Sequence, residues 1–170
     1  MVVVMDFLPL YFDLKNASTL VIGGGDAAAR KIELLLKAGA NVKLCASDRI
    51  KPIQAIIDSG QVNLVASMFD TSLLDDVVLV VAASGDAEID DAIALKATAR
   101  NLPVNVVNKA ESSSFIFPSI IDRSPIIASV SSSGSLPVLT RLLRSRLESA
   151  IPASFGQLAE VATKYRDQVR

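Results

Sequence analysis

Histidine and tryptophan are absent from this 170-residue chain, and Cys45 is its only cysteine. Without histidine there is no side chain whose ordinary pKa lies near neutrality, and the commonest transition-metal ligand is missing. Acid–base chemistry must then rest on carboxylates or on the substrate itself. A lone cysteine rules out an intrachain disulfide and a thiolate zinc cage. Cys45 lies in an apolar strand pattern with no recognisable activating partner, so it reads as a small core residue rather than a nucleophile. The absence of disulfides suits a reducing cytoplasm. Charge of one sign is lacking as well: 17 basic and 18 acidic residues leave a net −1. No global field would draw the chain to nucleic acid or an anionic membrane, so any anion site is local. No apolar run reaches the roughly 18 residues of a membrane span, and Val2-Val3-Val4 is too short for a signal core and lacks a cationic flank. Aromatics make up only 5%, whereas 51% of residues are hydrophobic, mostly Ala, Val, Ile and Leu. That composition suits parallel strands covered on both faces and argues against a β-sandwich.

The chain alternates strand-like and helix-like segments. Ser18–Ile22 is a short β-branched run ending in Gly23-Gly24-Gly25, and apolar positions Ala28, Ile32, Leu35 and Leu36 then recur at helical spacing until Gly39. Residues 41–46 alternate polar and apolar as a second strand, followed by a helix with Pro52 in its first turn. Further strands are expected at 62–65, 76–83 and 103–107, with a helix from about Asp86 to Arg100. Such alternation implies right-handed crossovers: an α/β, Rossmann-like, doubly wound parallel sheet whose ligands lie at the strands' carboxyl ends. The expected crevice collects Gly23, Ser47, Ser84 and Asn108, with Ala83 beside Ser84.

Beyond Ser112–Ser114 the pattern changes. Phe115–Phe117 and Ile126–Val130 read as extended, Leu136, Leu139, Leu142, Leu143 and Leu147 fall mostly on one helical face, and a second helix starts near Ala153. The expected organisation is a dinucleotide domain over 1–113, a small α+β dimerisation annex over 114–150 and the start of a helical region over 151–170. An annex this small needs a partner surface, and exchange with a second copy predicts a homodimer.

Gly23-x-Gly25-x-x-Ala28 is the Gly/Ala-ending form of the dinucleotide turn, and its position between a strand and a helix strengthens it. Asp48, 23 residues after Gly25, is placed either to bind ribose hydroxyls, which favours NAD over NADP, or to cap the helix through Pro52. For the side chain of Asp26 the helix cap is the safer reading, while its backbone belongs to the phosphate loop. Ser129–Ser135, leading into a helix, offers hydroxyls and amides suited to an anion, with Arg123, Arg141 and Arg144 adding charge; a solvated capping turn is the alternative.

The chain also resembles the precorrin-2 dehydrogenase/sirohydrochlorin ferrochelatase module found at the N-terminus of bacterial siroheme synthases. The resemblance runs over nearly the whole chain. It is carried by residues 5–10 (MDFLPL), 21–31 (VIGGGDAAARK), 105–107 (NVV), 114–125 (SFIFPSIIDRSP) and 131–139 (SSSGSLPVL). It implies a homodimeric oxidoreductase in which NAD takes hydride from precorrin-2 to give sirohydrochlorin, with insertion of ferrous iron, a lyase reaction, as a further activity of the same cleft. NAD contacts then fall on Asp26, Ala27, Ser47 and Asp48. The substrate's eight carboxylates would meet Lys109, Arg123, Arg141 and the serine loop. The family carries a phosphorylatable serine at the position of Ser132. Where the family places its catalytic aspartate, this chain has Asn108. An amide is neutral and cannot accept a proton, so Asn108 can orient substrate but cannot serve as base. Asp86, at the end of the fourth strand, and Glu111 are the carboxylates that could stand in for it. Two readings follow: a dehydrogenase that uses another group, or an impaired module that holds tetrapyrrole and NAD without turnover.

Overall fold

Five short β-branched runs pair into one parallel sheet in the computed structural model, which describes residues 5–165. They are β1 (Ser18–Ile22), β2 (Asn41–Cys45), β3 (Val62–Ala66), β4 (Leu79–Ala82) and β5 (Val104–Val106), in the spatial order β3-β2-β1-β4-β5. The helices α1 (Asp26–Lys37), α2 (Lys51–Asp58) and α3 (Ala87–Thr98) supply three of the four crossovers, and the connection from β3 to β4 runs through a 3₁₀ turn at Thr71–Leu74. Parallel strands need such long connections, and two covered faces require strands apolar on both sides. Leu20, Val21, Val80 and Val81 are accordingly sealed from solvent, with Ile32 and Leu35 of α1 and Ile93 and Ala97 of α3. The chain reverses direction across the sheet between β1 and β4, which opens a crevice at their carboxyl ends.

Two expected elements shift. The run 76–83 yields a strand only over Leu79–Ala82, because Asp76 takes φ 57, a left-handed conformation incompatible with extended pairing. Phe115–Phe117 is not part of a ladder; pairing begins past Pro118, which has no N–H to donate.

The chain divides into two compact units, residues 1–115 and 116–170. In the second, β6 (Ser119–Arg123) and β7 (Ile126–Val130) form an antiparallel hairpin, followed by α4 (Pro137–Ala150) and α5 (Ser154–Tyr165). Gly156 of α5 sits so close to this hairpin that a Cβ would lie 2.6 Å from the Arg123 carbonyl oxygen. Leu139, Leu142, Leu143 and Leu147 of α4 remain exposed, as do Phe155, Leu158 and Val161 of α5.

Candidate functional site

The crevice of the first unit is assembled by three glycines, each for a different reason. Gly23 has φ +122, and a Cβ there would fall 1.9 Å from the Ala83 carbonyl oxygen, so the turn after β1 can press against the end of β4 only with glycine. A Cβ on Gly24 would meet the Asp48 carbonyl oxygen at 1.8 Å; its own carbonyl accepts a hydrogen bond from the Ile50 N–H at 3.0 Å. These contacts bring the loops after β1, β2 and β4 together. Gly25 differs, since its backbone is ordinary (φ −92) and a Cβ would find nothing within 4 Å. No protein neighbour requires glycine there. Its bare backbone faces open space at the N-terminus of α1, whose first amides have no intrahelical partner, which fits the close approach of a pyrophosphate. Ala28, the third position of the fingerprint, is fully buried against the sheet.

Gly25 is the N-cap of α1 and no side chain caps this helix, so the cap expected of Asp26 does not form; Asp26 is the exposed first helical residue, followed by half-buried Ala27. Asp48 likewise does not cap α2, whose N-cap is Ile50 without a side-chain bond. The Asp48 carboxylate is exposed and, among the described residues, accepts only the Ser47 hydroxyl, at 3.2 Å, which leaves it able to receive ribose hydroxyls. Ala83 is buried, and the exposed Ser84 follows it at the mouth. Cys45 is buried, and burial pushes its thiol up, as suits a core residue.

Asn108 lies just past β5 at the same edge of the sheet, exposed and with φ 61. Asn and Asp are the side chains that best tolerate this left-handed geometry, so the backbone would accept either. Lys109 is engaged: its ammonium donates at 2.5 Å to Asp91, whose other oxygen accepts the Ser112 hydroxyl at 2.9 Å. That pairing raises the Lys109 pKa and, with the Ser112 bond, holds the Asp91 carboxyl below its usual range. Of the two alternative carboxylates, Asp86 caps α3, accepting the amides of Glu88 and Ile89 at 2.9 and 3.2 Å. Glu111 is exposed in a single 3₁₀ turn over Ala110–Ser112.

Sequence reasoning missed Asp90 and Asp91. Asp90 is 5% exposed and accepts the Ser84 N–H at 3.0 Å, so a buried carboxylate fixes the loop after β4. Its signal was an acidic residue in helical register with Ile93, Ala94 and Ala97, the buried stripe of α3.

Arg123, Ser132 and Arg141 belong to the second unit. Arg123 donates from Nε to the Ile151 carbonyl at 3.1 Å and lies 3.7 Å from Glu148, tying the end of α4 to β6. The Ser132 hydroxyl oxygen accepts the Leu136 N–H at 3.1 Å and the Thr140 hydroxyl at 2.8 Å, so it supports the entry to α4. Arg141 is exposed on α4. Among the described residues no group of three or more His, Cys, Asp or Glu side chains could hold a metal, and no helix is long and apolar enough to cross a membrane.

A parallel sheet reversing direction beside a glycine turn, with a free carboxylate after the second strand, defines a dinucleotide-binding domain. Comparison with known proteins agrees. The NAD(P)-binding family model matches residues 10–119, and the chain belongs to that family. A siroheme synthase of Pectobacterium atrosepticum is 48% identical over 98% of this chain, and one of Methylobacillus flagellatus 45% identical over 98%. The chain spans only 35% and 36% of those proteins. The solved structure of SirC, a precorrin-2 dehydrogenase, superposes with a TM-score of 0.80 at 25% identity, covering 94% of this chain and 79% of that one.

Proposed function

We propose that the chain is an NAD-dependent precorrin-2 dehydrogenase module, oxidising precorrin-2 to sirohydrochlorin in siroheme synthesis. The observation that carries this reading is the open backbone at Gly25, set in a fold similar to that of a precorrin-2 dehydrogenase over nearly the whole chain. NAD, when bound, would accept a hydride from the reduced macrocycle, and a proton would leave with it. The protein's part is positioning: the glycine turn receives the pyrophosphate, Asp48 orients the ribose, and the loop after β4 borders the nicotinamide end. Lys109, Arg123, Arg141 and Ser132 are proposed to meet the macrocycle's carboxylates. Lys109 is an ammonium paired with Asp91, which raises its pKa. Insertion of ferrous iron, as a substrate, belongs to the same proposal, as does phosphorylation at Ser132. So do a cytoplasmic site of action and a homodimer formed through the second unit, whose exposed leucines on α4 suit a second copy.

Asn108 favours a second reading, an impaired module that binds without turnover. The two separate on mixing the chain with precorrin-2 and NAD and following NADH absorbance, for the wild type and Asn108→Asp. Turnover by both forms supports a dehydrogenase in which the proton leaves by another route. Turnover by Asn108→Asp alone identifies this chain as impaired at its base. Failure of both, together with no NAD binding, removes the dehydrogenase reading.

A further inference from the structure

Arg49 stands at the corner after β2, directly beside Asp48, and no carboxylate among the described residues neutralises it. Its Nη1 donates to the carbonyls of Ala46 at 2.8 Å and Ser47 at 3.4 Å, and its Nε donates to the Gln54 side-chain oxygen at 3.2 Å. All three acceptors are neutral, and among the described residues Nη2 has no hydrogen-bond partner and Arg49 forms no ion pair. Gln54 is itself held by Asp58 at 2.8 Å, so the guanidinium is braced from both sides. The same corner is fixed against the phosphate turn by the Gly24–Asp48 contact and the Ile50–Gly24 hydrogen bond. Asp48 and Arg49 therefore present opposite, mutually unpaired charges where the adenosine ribose of a dinucleotide would lie.

We propose that Arg49 is a latent 2′-phosphate site which Asp48 keeps closed, so that these adjacent residues set the choice between NAD and NADP. This rests on the reading of the crevice as an NAD site. The physical basis is simple. A carboxylate accepts the 2′- and 3′-hydroxyls of NAD but repels the added dianion of NADP, and a guanidinium fork with a free N–H is matched to a phosphate. Because Asp48 makes no ion pair with Arg49, its full charge remains to exclude the phosphate. Removing Asp48 leaves a cation already braced at that position and needs no new residue.

The test is equilibrium binding of NAD⁺ and NADP⁺ to the full chain, comparing wild type, D48S, D48S/R49L and D48S/R49K, with thermal unfolding of each variant as the measure of folding. Like-charge juxtaposition costs several kcal/mol, so wild type should prefer NAD and D48S should shift the NADP-to-NAD affinity ratio by about 100-fold toward NADP. D48S/R49L should lose most of that gain. D48S/R49K, which keeps charge without the fork, should retain part of it and serves if the leucine variant unfolds. A D48S protein that binds NAD but stays blind to NADP overturns the proposal, as does a gain that survives loss of the Arg49 charge. Wild-type chain that binds neither dinucleotide removes the cofactor reading itself, and the switch with it.

Discussion

Replacing Gly25 by alanine should weaken cofactor binding without disturbing the fold, whereas the same change at Gly23 should destabilise the fold itself. At Gly25 the backbone is already extended and a Cβ meets no atom within 4 Å. Alanine reduces unfolded-chain entropy, a gain of about 0.4–1 kcal/mol, and is a poorer helix cap than glycine by a comparable amount. The net change should stay within about 1 kcal/mol, a melting shift of roughly 3 °C or less. The methyl would occupy the space over the loop that a pyrophosphate needs. Losing one amide hydrogen bond to a charged group, worth about 1.5–3 kcal/mol, weakens NAD by roughly 10- to 100-fold. Gly23→Ala meets the Ala83 carbonyl oxygen at 1.9 Å from a backbone at φ +122. It should cost roughly 3 kcal/mol and lower the melting temperature by about 10 °C. Calorimetric titration with NAD and differential scanning calorimetry on both variants decide the matter. Wild-type affinity in Gly25→Ala would refute the reasoning, because the space over that residue would then not be the phosphate site.

Three further outcomes follow from side chains around the crevice and in the second unit. Asp90→Ala leaves the Ser84 N–H without its acceptor and should cost about 1–3 kcal/mol in urea unfolding, whereas Asp90→Asn keeps an acceptor and should cost less. The Asp91–Lys109 pair makes a two-sided pH signature. Asp91 is held below its ordinary range, so its contribution is present above that range and lost as pH falls through the lowered value. Lys109 is raised, so its contribution is present below the ordinary lysine value and lost as pH rises through the raised one. Thermal unfolding of wild type minus Lys109→Met should therefore be flat between these limits and fall on both sides; a peak near neutrality would contradict the pairing. Ser132→Ala removes the acceptor of the Leu136 N–H, while Thr140 can still donate to the Leu136 carbonyl at 3.1 Å. The expected loss is about 1 kcal/mol by chemical denaturation, the ordinary net contribution of one hydrogen bond.

Local chemistry explains what could be read directly from the chain. The alternation of β-branched runs with helical periodicity, the glycine turn between Ile22 and Asp26, and the helix stop at Gly39 each depend on residues a few positions apart. Strand trimming at Asp76 and at Pro118 is also local in cause, but backbone conformation at a single residue is not legible from hydrophobic patterning. The carboxylates carry no such local distinction. Asp26, Asp48 and Asp86 all stand near helix starts, where a cap and a ligand contact call for the same residue type. Only the fold sorted them: Asp86 caps α3, whereas Gly25 and Ile50 stand at the caps of α1 and α2 and leave Asp26 and Asp48 uncommitted.

The sequence by itself determined that this is a parallel α/β chain with a phosphate turn after its first strand, because periodicity and glycine spacing act within one βαβ unit. Only the tertiary structure decided which groups share the crevice. Gly24 meets Asp48, Gly23 meets Ala83, and Lys109 is bound to Asp91, all between segments that chain order keeps apart. The physical reason is that burial and electrostatic partnership belong to packed surfaces, and strand order, rather than strand content, sets which surfaces meet.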